Sequence, residues 1–158
     1  MKQIPLFKLD PLFAGGSLTK GKRKTQRPLS TKKPLHLILK SQSKNLLCRR
    51  KEILKFIDKY SQRFEIRAYG VSVQKDHIHF AVKIPSRGAY VKFIRTLSAM
   101  LSRIFKVRWR YLPFSRILSW GRDFRNVILY LKKNDEEVFG IRPYEPRKHR
   151  YSQGNSGS

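Results

Sequence analysis

Two alternating segments separated by only two residues constrain the fold of this chain more than any other sequence feature. EIRAYGVSVQ (65–74) and HIHFAVKI (77–84) both alternate apolar with polar positions. Such alternation is typical of strands with one buried face, and a connection as short as Lys75 and Asp76 joins antiparallel neighbours. The sequence therefore predicts a β-hairpin over 65–84, around which the rest of the fold has to be built.

The segments on either side of this hairpin change their hydrophobic period in a regular order. PLHLILKS (34–41) is short and apolar, as in a buried strand. Apolar residues recur at helical spacing in 44–64, in 89–106 and again, over about three turns, in 122–134. The segment 107–120 is rich in aromatic and branched residues but contains a proline, which predicts an interrupted edge strand.

The order strand, helix, strand, strand, helix, strand is the split βαβ arrangement, a ferredoxin-like antiparallel sheet with both helices on one face. The expected class is α+β, with the other face open to a ligand or to the added C-terminal helix. This domain is assigned to 34–140. Residues 1–33 are expected to form a basic flexible arm, because KGKRKTQRPLSTKK carries seven Lys and Arg and no acid. A basic, loose tail is expected over 141–158.

The charge balance indicates the partner. The chain has 36 Lys and Arg against 10 Asp and Glu, a formal charge of +26, and repulsion on this scale is relieved by a polyanion. The apolar runs are too short to span a membrane. The lone Cys48 can form neither an internal disulfide nor a CxxC zinc site, so a reducing compartment is expected. The acids are mostly scattered, which argues against a carboxylate-caged nuclease. Nucleic acid is therefore the expected partner.

Phosphate contacts are expected from cations in the arm, in the first helix and in the segments after the second helix. The candidates are Lys22, Arg23, Lys24, Arg27, Lys32, Lys33, Arg49, Arg50, Arg108, Arg110, Arg116, Arg122 and Arg125. Tyr69, Trp109 and Trp120 are candidates for stacking on unpaired bases, although burial in the core explains each of them as well.

Two histidines in the second hairpin strand are the first candidates for chemistry. Residues two apart in a strand point to the same face, so His77 and His79 project together and can share one divalent ion. Two histidines that are exposed at the surface and bind no metal are the structural alternative for this pair. In the third helix, Tyr130 and Asn134 lie one turn apart on one face. A boundary aromatic and a helix C-cap are the structural alternatives for this second pair.

A resemblance to a known family rests on four segments in a fixed order: KPLHLILK, YGVSVQKDHIHFAVKIP, a helix, and SRILSWGRDFRNVILYLKKN. Over about residues 27–140 the chain resembles the REP-associated tyrosine transposases, single-tyrosine HUH endonucleases that act on single-stranded DNA. The most specific element is His-hydrophobic-His followed about fifty residues later by a helical Tyr with Asn four positions on. The resemblance implies that His77, His79 and Asn134 bind Mg²⁺ or Mn²⁺ and that Tyr130 is the nucleophile.

The function implied by this resemblance is cleavage and strand transfer at hairpin, REP-like DNA through a 5′-phosphotyrosine intermediate. Such an ester can be rejoined without ATP. The implied partners are single-stranded or hairpin DNA, and the implied setting is the bacterial cytoplasm at the nucleoid, with the protein a monomer or a homodimer. Asp76 departs from the Asn that many relatives carry before the first His. A carboxylate there is expected to support a metal ligand from outside the coordination sphere or to bias the choice of metal.

Two other functions account for part of the sequence. A non-catalytic RNA or single-stranded DNA binder with an RRM-like sheet would share the fold, but it needs exposed aromatics on the two central strands. In HIHFAVKI, Phe80 falls on the same face as Ile78 instead. A basic ribosome-associated protein explains the charge and gives the histidine pair no role.

Overall fold

One antiparallel sheet organises the computed structural model, which describes residues 12–17, 21 and 26–146. In chain order the elements are β1 (Phe13–Ala14), β2 (Leu35–Lys40), a 3₁₀ helix (Leu46–Arg49), α1 (Arg50–Arg63), β3 (Arg67–Val73), β4 (His77–Lys83), α2 (Arg87–Phe105), β5 (Phe114–Ile117) and α3 (Arg122–Val138). The strand order is β1-β5-β2-β4-β3, with all neighbouring pairs antiparallel. The predicted α+β class with a ferredoxin-like sheet and an added C-terminal helix is confirmed.

The main core lies on the face of the sheet covered by α1 and α2. Alternate residues of β2 and β4 point to this face because side chains in a strand alternate in direction. The apolar stripes of the two helices pack against them. The largest contributors are Leu35, Leu37 and Leu39 of β2, Ile78, Phe80 and Val82 of β4, Ile53 and Ile57 of α1, and Phe93, Leu97 and Leu101 of α2.

Helix α3 covers part of the opposite face. A second, smaller core forms there from Ala81, Leu118, Val127 and Leu131. The helix passes close to β3 at Gly70, where an added Cβ would lie 3.2 Å from Cδ1 of Leu131. The sequence predicts that either a ligand or the third helix covers the open face. In the structure α3 covers part of this face.

The largest differences from the predicted boundaries lie in α3 and in the segment 107–120. Helix α3 has 17 residues and is longer than the three turns expected. The interrupted strand expected over 107–120 is reduced to the four residues of β5 and one isolated bridge between Trp109 and Ser41. Within the described residues, none of the helices has the length and apolar composition that crossing a membrane requires.

The predicted flexible arm over 1–33 is in part attached to the sheet. Strand β1 pairs with β5. Arg27 Nη1 donates hydrogen bonds to the carbonyl oxygen of Ala14 (3.2 Å) and to Oγ of Ser115 (2.7 Å). The folded domain therefore begins before residue 34, the start that the sequence predicts. Part of the arm and residues 147–158 of the predicted tail lie outside the described residues.

We expect Leu131→Ala to destabilise the fold by loosening α3 over Gly70. Leu131 is 3% exposed, and truncating a buried leucine costs about 2–5 kcal/mol. The matched control is Leu129→Ala on the same helix, because Leu129 is 63% exposed and such changes stay within about 0.5 kcal/mol. Urea denaturation followed by circular dichroism measures both free energies of unfolding. Equal losses in the two variants would contradict this packing of α3.

Candidate active site

Four rings from three elements meet between the sheet and α3. The centroid of His79 lies 4.7 Å from that of His77, 5.3 Å from that of His36 and 5.4 Å from that of Tyr130. Strand alternation places His77 and His79 on the face opposite the main core, and α3 brings Tyr130 over them. The structure thus brings together the predicted histidine pair and the predicted tyrosine.

Asn134, one helical turn beyond Tyr130, is 2% exposed. Its Oδ1 atom is buried and has no hydrogen-bond partner within the described part of the chain. Leaving an amide oxygen in that state costs about 1–3 kcal/mol, and such a cost is expected where the oxygen serves a ligand. The alternative role of Asn134 as a C-cap does not apply, since α3 continues to Val138 and its C-cap is Phe139.

Asp76 holds the ring of His77. His77 Nδ1 donates a hydrogen bond to Asp76 Oδ1 at 2.6 Å. Burial alone would raise the pKa of Asp76, but the hydrogen bond from His77 and the positive charge of Lys40 outweigh it and lower the pKa below its ordinary value. Asp76 is therefore an anion that fixes the orientation of His77 through Nδ1, an arrangement common around metal-binding histidines.

His36 lies within hydrogen-bond distance of Nδ1 of His79, as Asp76 does for Nδ1 of His77. His36 Nε2 and His79 Nδ1 are 3.1 Å apart, their rings are stacked with an interplanar angle of 17°, and both residues are buried. Burial and, to a lesser extent, the positive charge of Arg116 lower the pKa of His36 to about 4, against a smaller opposing effect of the negative charge of Asp123. His36 is therefore a neutral imidazole at neutral pH.

His36 is not among the site residues that the sequence predicts. The sequence feature that could have identified His36 is a polar side chain within the apolar strand LHLILK, at a position between Leu35 and Leu37. Its contact with His79 depends on the β2–β4 register, in which His36 pairs with Ala81 and Ile38 with His79. That register places the two imidazoles diagonally across neighbouring strands.

The first turn of α3 is tied to β5. Arg116 Nη2 donates to Asp123 Oδ1 at 3.0 Å and Nη1 donates to Oδ2 at 3.3 Å, while the backbone N–H of Ser119 donates to the same carboxylate at 3.1 Å. A carboxylate in the first turn also interacts favourably with the helix dipole. This pair fixes where the helix starts relative to the sheet.

The other end of α3 is tied to β3 and α1. Ser72 Oγ donates to Asp135 Oδ1 at 2.7 Å, and Arg50 Nη2 lies 3.7 Å from Asp135 Oδ2. The Arg50 guanidinium also lies over the Phe139 ring, 4.7 Å from its centroid. Both ends of α3 are therefore anchored, the start to β5 and the end to β3 and α1.

The predicted phosphate-binding cations fall into three groups. Arg27, Arg50 and Arg116 are engaged in the intramolecular contacts described above, and Arg49 lies 3.8 Å from Glu52 in a surface pair. Lys32, Lys33, Arg108, Arg110, Arg122 and Arg125 are exposed. Lys22, Arg23 and Lys24 lie outside the described residues.

The donor set available for a metal ion is limited. In the described part of the chain, no group of three or more His, Cys, Asp or Glu side chains is arranged to hold an ion. A cation at this site would therefore need the amide oxygen of Asn134 in addition to the two histidines. The buried, unpartnered Oδ1 of Asn134 fits that requirement.

Solved structures establish the class of this fold. One similar structure is a REP-associated tyrosine transposase bound to a REP hairpin, with a TM-score of 0.55, 12% sequence identity, and coverage of 75% of this chain and 74% of that chain. Another, with a TM-score of 0.43 and 16% identity, is a presumed transposase from Deinococcus radiodurans R1 and covers 72% of this chain and 97% of that chain. The first shows that the fold is shared with a tyrosine transposase.

A family profile described as IS200-like transposase matches residues 31–127. The match covers more than half of the chain, and the chain therefore belongs to the IS200-like transposase family. The matched residues include all three histidines of the site and end before Tyr130 and Asn134. No curated protein matches the chain. The predicted resemblance to tyrosine transposases is confirmed.

We expect metal-free protein to lose stability as the pH falls from 6.5 towards 4, in part because of His36. In this window the unfolded chain binds a proton at this imidazole, whose pKa is 6.5, while the folded chain, with a pKa of about 4, does not. The contribution is at most about 3 kcal/mol. The groups that face His36 are His79, Tyr130, Arg116 and Asp123.

The measurement is urea denaturation in EDTA at several pH values, with His36→Gln as the comparison. The variant removes the titrating group, so its free energy of unfolding should fall less steeply between pH 6.5 and 4. The same slope in both proteins would show that His36 is not the buried neutral group described here.

Proposed function

We propose that this transposase-family chain is a metal-dependent nickase and strand transferase that cuts single-stranded or hairpin DNA through an ester on Tyr130. The observation that carries the proposal is the meeting of Tyr130 with His79 across the sheet-helix interface, one turn from the buried oxygen of Asn134. The charge of +26 favours a polyanionic substrate. Hairpin DNA is the proposed substrate because the similar REP-associated transposase is described as bound to a REP hairpin.

His77, His79 and Asn134 would hold one divalent cation, Mg²⁺ or Mn²⁺. When bound, such an ion neutralises charge on the scissile phosphate and favours the phenolate form of a nearby tyrosine. All three side chains are uncharged as ligands, so most of the positive charge would remain for the substrate. This choice of neutral ligands suits a chain with few acidic residues.

The neighbours of the two histidines set which ring nitrogens carry the protons. Asp76 accepts from Nδ1 of His77, which places that proton on Nδ1 and the ligand lone pair on Nε2. Neutral His36 can accept at Nε2 from Nδ1 of His79 and so select the same tautomer there. Both histidines would then present Nε2 to the cation without having to lose a proton first.

Tyr130 would supply the attacking oxygen. Its Oη, after losing its proton to solvent, forms the bond to phosphorus as the bond from phosphorus to the 3′ oxygen breaks. That oxygen takes a proton from solvent, which leaves a 5′-phosphotyrosine and a free 3′-hydroxyl. The anchoring of α3 at Asp123 and Asp135 holds Tyr130 over the histidines and lowers the entropy cost of reaching the reactive arrangement. Because the ester is retained, the reverse attack rejoins DNA without another energy source.

A non-catalytic, RRM-like binder is the second candidate, and the arrangement of the sheet gives it less support. Such a binder stacks bases on the face of the sheet opposite its two helices. In this protein α3 covers part of that face, and Phe80 is buried on the helix side. The central positions of the face carry His36 and His79 instead of aromatic platforms.

We expect Tyr130→Phe to abolish the covalent protein–DNA adduct while leaving the fold and DNA affinity close to those of the native protein. The change removes only the attacking oxygen and keeps the ring beside His79. Tyr144→Phe is the matched control, since Tyr144 is 70% exposed and should retain the adduct. The assay is an SDS gel of protein incubated with labelled hairpin DNA and Mn²⁺. An adduct with the Tyr130→Phe protein would assign the nucleophile elsewhere.

We expect Asn134→Ala and His77→Ala each to weaken Mn²⁺ binding by roughly tenfold or more, because each removes one ligand of three. Electron paramagnetic resonance of free Mn²⁺ gives the affinity without DNA or catalysis. The control is Asn126→Ala, an exposed amide on the same helix, which should bind Mn²⁺ normally. Normal Mn²⁺ affinity in both ligand variants would show that the metal does not bind at this site, whatever the outcome of the adduct assay.

A further inference from the structure

A second group of aromatic rings lies at the end of the sheet where α3 begins. It contains Tyr69 at the bulge of β3, Trp120 just before α3 and Phe124 in the first turn. Trp120 lies 5.8 Å from Tyr69 and 5.1 Å from Phe124, and Tyr69 lies 5.2 Å from Phe124, all between ring centroids and all in edge-to-face contact. Each ring is therefore held by the other two.

Trp120 is fixed in place and yet 48% exposed. Its Nε1 donates a hydrogen bond to the backbone carbonyl of Lys32 at 3.1 Å, so the polar end of the indole is already used. Trp109 differs, since it is partly buried against the main core and donates to the carbonyl of Ser98. Of the two tryptophans in the chain, Trp120 is the one that offers an apolar surface to a partner.

The surroundings of Trp120 are positively charged. Four exposed cations lie near it through the sequence or through the contacts of the aromatic group, namely Lys32, Lys33, Arg67 and Arg122. The guanidinium of Arg67 lies 5.3 Å from the centroid of the Tyr69 ring. The adjacent acid, Asp123, is paired with Arg116. Within the described residues these four cations form no salt bridge. An indole held rigidly among such cations matches a partner that has both flat bases and phosphates.

We propose that the Trp120 surface, formed by Trp120 with Lys32, Lys33, Arg67 and Arg122, binds single-stranded DNA by stacking one unpaired base on the indole. The proposal rests on the proposed function, since it extends the DNA path along α3 from Tyr130. Arg122 precedes Tyr130 by eight helical residues, which is about 12 Å along the axis. A strand that follows α3 would therefore place a few nucleotides between the bound base and the cleaved phosphate.

The direct test uses the fluorescence of the two tryptophans. In Trp109→Phe, Trp120 is the only tryptophan, and a thymidine oligonucleotide should quench its emission with the same concentration dependence as binding, measured by anisotropy of a labelled oligonucleotide. In Trp120→Phe, the remaining Trp109 should stay unquenched at the same occupancy. An unquenched Trp120 in protein that has bound the oligonucleotide would overturn the proposal.

Binding affinity gives an independent measurement in which Trp109 is left unchanged. Trp120→Ala should weaken binding of a hairpin with an unpaired flank by roughly 5- to 100-fold, the range for loss of one stacked base. The same change should have little effect on a blunt hairpin, which has no base to offer. An abasic nucleotide placed at successive positions of the flank should weaken binding by the native protein at one position. At that same position it should not weaken binding by Trp120→Ala any further. Equal losses for blunt and flanked hairpins would overturn the proposal.

Three further outcomes separate this proposal from its alternatives. If quenching occurs but the native chain forms no adduct with DNA, the proposed function fails and the Trp120 surface stands. If an adduct forms without quenching, the surface fails and the proposed function stands. Protection of Trp120 from acrylamide in the free protein would show that another segment of the chain covers the indole, and would also overturn the proposal.

Discussion

The packing of α3 against the face of the sheet opposite α1 and α2 is the interaction on which the candidate site depends. Gly70 allows close approach at the middle of the helix, Arg116 holds Asp123 at its start, and Ser72 holds Asp135 near its end. Only this placement puts Tyr130 against His79. A helix that was free to rotate or lift would leave the two histidines as an unremarkable pair on an exposed strand.

Carboxylates near the site orient other groups. Asp76 holds His77, Asp123 holds Arg116, and Asp135 joins Ser72 to Arg50. This distribution would allow a chain with so few acids to hold the proposed cation, because the proposed ligands are neutral and each acid contacts a neighbouring group instead of the ion. Most of the other Lys and Arg side chains in the described part of the chain are exposed, where they can contact phosphates.

The same helix connects the candidate site to the Trp120 surface. The first turn of α3 contains Phe124, which packs on Trp120, and the helix reaches the histidines at Tyr130. Because α3 is rigid over this length, the distance between a stacked base and the reacting phosphate would be fixed by the protein. A fixed spacing of this kind can determine which phosphate along a strand is cleaved without contacts to the bases at the cleavage site.

The sequence by itself determined the elements and the faces of their side chains. The period of two in β4 places His77 and His79 together, and the helical period in α3 places Tyr130 and Asn134 one turn apart, because local backbone geometry sets both. It did not predict His36 as a partner of His79, the pairing of β1, or the use of Arg27, Arg50 and Arg116 in intramolecular contacts. Those features join residues far apart in the chain, so only the strand register and the docking of α3 could decide them.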